Sequence, residues 1–252
     1  MKNDNKRKKF IDEILGEFID NTQVIGIFQG GSSLYQKMDE NTDFDIFVVT
    51  EDDFPGRLHG YRKSDVLVEY FTNPISRLYK QMEQEINEIH DYWVIKIYAF
   101  GKILYDKDGN ARKLQMRALE YFAKSFGSND DQRQYKMYID ILENYMEYKS
   151  QQKYGLSSLP MYYETMRAMV TYICYRDKTP LIPWNKCERI LIDSVYREQY
   201  HLKALPEKEV CELLKAGFKA VTEQERNYIL ESILARINDK NEYELEGYCE
   251  YK

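Results

Sequence analysis

Two aspartates, Asp43 and Asp45, are separated by a single phenylalanine and run into the apolar stretch Ile46-Phe47-Val48-Val49. In an extended strand side chains alternate between faces, so Asp43 and Asp45 share one face while Phe44, Ile46 and Val48 take the other. Adjacent like charges repel unless a cation neutralises them, and hard divalent ions such as Mg²⁺ take carboxylate oxygens together with substrate phosphates. Upstream stands Gly30-Gly31-Ser32-Ser33, one residue after the apolar run Val24-Ile25-Gly26-Ile27-Phe28. Its glycines let backbone approach a ligand closely, and the N–H groups that open a short helix at Ser32-Ser33 suit a phosphate. The pair of motifs asks for a divalent metal and a phosphate-bearing ligand.

The elements that must position these residues are legible around them. An amphipathic segment carries Phe10, Ile11, Ile14, Leu15, Phe18 and Ile19 on one helical stripe. Residues 24–28 and 44–49 read as strands, and 65–71 as a third, ended by Asn73-Pro74. Helical spacing of Leu78, Met82 and Ile86 predicts a helix over 75–89, and 93–106 is expected to supply one or two further short strands. Beyond Asp106 only helical patterns occur. Leu114, Ala118, Tyr121 and Phe122 begin one and Gly127-Ser128-Asn129 breaks it; Tyr135, Tyr138, Ile139, Leu142, Tyr145 and Met146 mark the next. Tyr162, Met166, Met169, Val170 and Ile173 form a further stripe, prolines 180, 183 and 206 punctuate shorter helices, and Thr222-x-x-Glu225 has the form of a capping box. Strands followed by helices alone predict an α+β domain, a small mixed β-sheet with flanking helices over residues 1–126, joined to an all-α helical bundle over 127–252.

At Gly31-Ser32 and Asp43-Phe44-Asp45 the chain resembles the nucleotidyltransferase superfamily that includes DNA polymerase β. Its signature is an apolar strand, Gly-Gly or Gly-Ser, roughly a dozen residues, and Asp-x-Asp in the next strand. Within it the chain looks most like the compact bacterial aminoglycoside and lincosamide nucleotidyltransferases. The resemblance implies a cytoplasmic, Mg²⁺-dependent enzyme that moves a nucleoside monophosphate from an NTP to a hydroxyl of a small molecule and releases pyrophosphate. Asp43 and Asp45 would hold two metal ions, and Gly30, Gly31, Ser32 and Ser33 would cradle phosphates, with Lys37 adding charge. A third carboxylate is expected as general base or further metal ligand. Glu69 is the candidate because it stands among apolar residues of a strand, where an acid without a partner is costly. Asp65 is its rival. The helical half would form one wall of the acceptor site. The competing readings are nucleotidylation of a protein or RNA partner, as in antitoxin-type enzymes, and a non-catalytic nucleotide-binding protein.

Composition narrows the partners. A formal net charge of −6 argues against a broad electrostatic grip on nucleic acid. No apolar stretch approaches the roughly 20 residues that span a bilayer, and the expectation is a cytosolic protein. Cys174, Cys187, Cys211 and Cys249 are widely spaced without a Cys-x-x-Cys pair, so reduced packing cysteines are expected. His59, His90 and His201 are scattered, none at a metal-ligand spacing from another. Glu51-Asp52-Asp53 reads as surface. The acceptor, the preferred base and the oligomeric state are not encoded legibly.

Overall fold

The computed structural model describes residues 2–36, 42–54, 58–64 and 66–240. The chain divides into two compact units, Met1–Ser125 and Phe126–Lys252.

The first unit is built on a five-stranded mixed sheet in the order β3-β4-β2-β1-β5. Its strands are β1 (Val24–Gly30), β2 (Asp43–Thr50), β3 (His59–Lys63), β4 (Leu67–Pro74) and β5 (Lys102–Asp106). β2 and β4 run parallel, and the remaining pairs are antiparallel. Alternation along β2 sorts the side chains as the sequence demands. Phe44, Ile46 and Val48 join Val68 of β4 in a core closed by Ile11 and Ile14 of helix α1 (Lys2–Ile19). Ile19, expected on the same stripe, is exposed. The opposite face carries Phe28, Phe47 and Phe71. There Tyr98 of α3 (Trp93–Phe100) meets Phe28 and Phe47 edge-on, with ring centroids 5.0 and 6.4 Å apart. The sheet is thus covered by a helix on each side, and full burial of each large apolar side chain stabilises it by about 1.5–3 kcal/mol.

Two elements differ from the sequence reading. Residues 93–100, expected as strand, form a helix, and only Lys102–Asp106 is a strand. The helix is set by Glu85, which lies in the π-helical turn Glu85–Ile89 after α2 (Ile75–Gln84). Its carboxylate accepts from the backbone N–H of Val94 at 2.7 Å and of Ile95 at 3.0 Å, two donors that a helix start leaves without partners. Val94, Ile95, Tyr98 and Ala99 form its buried face while Trp93 is exposed, but the run is apolar at every position except Lys96, so the sequence itself shows no one-sided periodicity to betray it. The second difference is β3, a strand of His59-Gly60-Tyr61-Arg62-Lys63 that lacks apolar alternation and owes its extended form to pairing with β4.

α4 (Asn110–Phe122) completes the first unit. The second unit contains helices alone among its described residues: α5 (Asp131–Lys153), α6 (Leu159–Arg176), α7 (Cys187–Ile192), α8 (Ser194–Gln199), α9 (Lys208–Gly217) and α10 (Glu223–Asp239). Tyr138, Tyr148, Tyr162 and Tyr172 lie in one core with Met166, Met169, Ile229 and Ile233. A buried phenol requires a partner, and Tyr162 donates to the Gly217 carbonyl at 3.0 Å. Thr222 and Glu225 form the expected capping box at the start of α10. Cys174, Cys187 and Cys211 form no disulfide, and the first two are buried; Cys249 lies outside the described residues.

Candidate metal and nucleotide site

Pairing register assembles the acids. Parallel pairing puts Asp45 beside Glu69, and antiparallel pairing puts Gly30 on the other side of Asp45 and Tyr61 beyond Glu69. One row across four strands therefore reads Gly30, Asp45, Glu69, Tyr61. Asp43 stands two residues before Asp45 on the same face. One ligand oxygen from each of Asp43, Asp45 and Glu69 lies within 4.8 Å of the others, all three side chains being partly buried. No other group of three His, Cys, Asp or Glu side chains among the described residues comes together in this way.

The glycine turn is shaped around one of those carboxylates. Gly31 adopts φ 68°, ψ −165°, a conformation that side chains rarely tolerate. A Cβ there would stand 2.8 Å from Asp45 Cγ and nearer still to Oδ2, so the backbone passes over the carboxylate only because residue 31 has no side chain. At Gly30 a Cβ would meet the Phe47 ring at 3.1 Å from Cδ2. Ser32–Leu34 then forms a single 3-10 turn. Ser33 Oγ accepts from Gln29 Nε2 at 3.2 Å and donates to the Gly30 carbonyl at 3.3 Å, which ties the turn back to β1. Ser33 thus has a structural occupation that the sequence did not show.

Glu69 is not an acid without a partner. His59 Nε2 lies 2.7 Å from its Oε1, and Tyr61 hydrogen-bonds to it as well. That bond to Glu69, with some burial and the charges of Glu69 and Asp45, raises the Tyr61 phenol above its ordinary range. His59 and Tyr61 escaped sequence reasoning because β3 did. The one available signal was the turn-bounded spacing that lets 59–63 fold back on 67–71. Among the other named residues, Lys37 and Asp65 lie outside the described residues. Glu51, Asp52 and Asp53 are exposed, with Asp52 accepting from the Ser76 backbone and Glu51 3.6 Å from Lys107.

Carboxylates are hard, acceptor-only donors to a metal, and three of them converging under a glycine turn fit Mg²⁺ or Mn²⁺. They do not fit a soft ion such as Cu(I), which prefers sulfur.

No protein-family model matches the chain, and no curated protein matches it. Among solved structures it is similar to a nucleotidyltransferase-like protein from Exiguobacterium sibiricum 255-15, with 13% identity, a TM-score of 0.45, and 89% of this chain and 73% of that one covered. At that level of likeness, function has to be read from this chain's own side chains. No helix among the described residues is long and apolar enough to cross a membrane.

Proposed function

We propose that the chain is a divalent-metal-dependent nucleotidyltransferase that moves a nucleoside monophosphate from an NTP to a hydroxyl of a small molecule. The observation that carries this reading is the convergence of Asp43, Asp45 and Glu69 within 4.8 Å on one sheet face beneath the Gly31 turn. Mg²⁺ held there would supply charge neutralisation for an in-line displacement. Asp43 and Asp45 would hold it, and Glu69 would complete the ligand set, since its oxygen stands within the same cluster. Gly30 and Gly31 keep side chains away from the triphosphate, and Ser32, with Ser33 fixing the turn, presents backbone and hydroxyl to phosphate oxygens. In the reaction the acceptor oxygen bonds to the α-phosphorus, the bond to the bridging oxygen breaks, and pyrophosphate leaves; the hydroxyl proton passes to solvent. Acceptor selection is assigned to the helical unit, as the resemblance implies.

The test is incubation with each α-labelled NTP, Mg²⁺ and a panel of aminoglycosides, lincosamides and cell metabolites. Label on a small molecule with pyrophosphate release supports the reading. Label on a protein or RNA would move the acceptor to the antitoxin-like class, and tight NTP binding with no turnover would indicate a nucleotide-binding protein.

A further inference from the structure

His59 stands in the row next to the acids. Phe47 of β2, Phe71 of β4 and His59 of β3 are register partners across three strands. Phe47 and Phe71 stack with centroids 5.3 Å apart and planes 6° apart, and the imidazole lies on Phe71 at 4.2 Å and 12°. Such a ladder fixes the plane of the histidine ring and hence the direction of its N–H. That direction is Glu69 Oε1, at 2.7 Å. A carboxylate only accepts, so the hydrogen sits on Nε2. Tyr61, 4.9 Å from the imidazole centroid, holds Glu69 from the same strand. The carboxylate is therefore gripped from the edge of the sheet while an oxygen remains within reach of Asp43 and Asp45.

We infer that His59 is a positioning residue that orients Glu69 as a metal ligand, through a hydrogen bond whose aim is set by stacking on Phe71. The inference rests on the reading of the acid cluster as a divalent-metal site. The alternative is a cross-strand tether that merely holds β3 to β4. A tether would be an exposed pair of little consequence; an orienting partner of a metal ligand typically matters about 10- to 100-fold in metal affinity.

Mn²⁺ titration of the full chain, followed by electron paramagnetic resonance, separates the two. His59→Phe keeps a ring on Phe71 and deletes the donor; His59→Gln keeps a donor without the ring. The expected result is a Kd for Mn²⁺ raised about tenfold or more in His59→Phe and raised by a smaller factor in His59→Gln, which keeps a donor but loses the stacked ring that aims it. In a Glu69→Gln background, His59→Phe should add less than about twofold, because the group it orients is already gone. Wild-type affinity in His59→Phe alongside weakened binding in Glu69→Gln would overturn the inference and leave the metal site standing. A fully additive loss in the double variant, or a lower melting temperature with unchanged Kd, would overturn it in favour of the tether. Wild-type affinity in both Asp43→Asn and Glu69→Gln would overturn the metal site itself, and the inference with it.

Discussion

Replacing Gly31 with alanine adds one methyl group at the point where backbone and carboxylate come closest. The new Cβ would be 2.8 Å from Asp45 Cγ and nearer still to Oδ2, whereas carbon atoms rest at about 3.5–4.0 Å, so the carboxylate must retreat by at least about 1 Å. A misplacement of that size at a reacting centre costs roughly 10² in turnover. The backbone adds its own penalty: φ 68°, ψ −165° is held almost solely by glycine, and forcing a side chain into it costs about 1–3 kcal/mol. For a unit of this size that lowers the melting temperature by roughly 4–12 °C. Gly109 separates the two effects. Its φ is +76°, yet a Cβ there would meet nothing within 4 Å, so Gly109→Ala carries backbone strain without touching a carboxylate. The assays are thermal denaturation and Mn²⁺ affinity. Both variants should melt lower than wild type, and only Gly31→Ala should lose metal affinity. Equal Mn²⁺ affinities in the two variants would refute the claim that the turn is shaped around Asp45.

Glu85 makes the stability of the first unit depend on pH. Burial pushes its carboxyl up from an ordinary 4.5 to about 7, against the opposing pull of the Val94 and Ile95 N–H groups. The native state then holds a proton that the unfolded chain has released, so stability present below about pH 4.5 is lost as pH rises through 7. The loss is roughly 2–3 kcal/mol between pH 5 and 8. Glu85→Gln should remove this slope, and parallel wild-type and variant curves of unfolding free energy against pH would refute the assignment. In the second unit, Thr222→Ala deletes the hydroxyl that accepts from the Glu225 N–H at 3.2 Å and should cost about 1 kcal/mol in denaturant unfolding, with Mn²⁺ affinity unchanged. No measurable loss would mean that the α10 cap contributes nothing.

The acid pair was legible because strand alternation is a local rule: Asp43 and Asp45 fall on one face whatever the rest of the sheet does. Glu69 was legible as an acid in an apolar strand, but its nearness to Asp45 depends on parallel pairing between β2 and β4, which only the fold supplies. His59 and Tyr61 were not legible. His59-Gly60-Tyr61-Arg62-Lys63 has the composition of a surface loop, and its extended form comes from hydrogen bonds to β4 rather than from its own residues. The misreading of Trp93–Phe100 has the opposite cause. A run that is apolar at every position except Lys96 has no period in the sequence, although only one face of the helix is buried. The feature that satisfies its start, the Glu85 carboxylate at its first N–H groups, lies nine residues upstream of Val94. The Gly31 turn was recognised for the access it gives to phosphate, while its closeness to Asp45 emerges only in three dimensions.

The most direct test of the acid cluster as a metal-dependent NTP site is calorimetric titration of the full chain with a non-hydrolysable NTP, with and without Mg²⁺, for wild type, Asp43→Asn and Asp45→Asn. The expected result is binding by wild type that requires Mg²⁺ and is lost in both variants while their melting curves stay cooperative. Equally tight binding in the presence of a chelator, or in either variant, would contradict it.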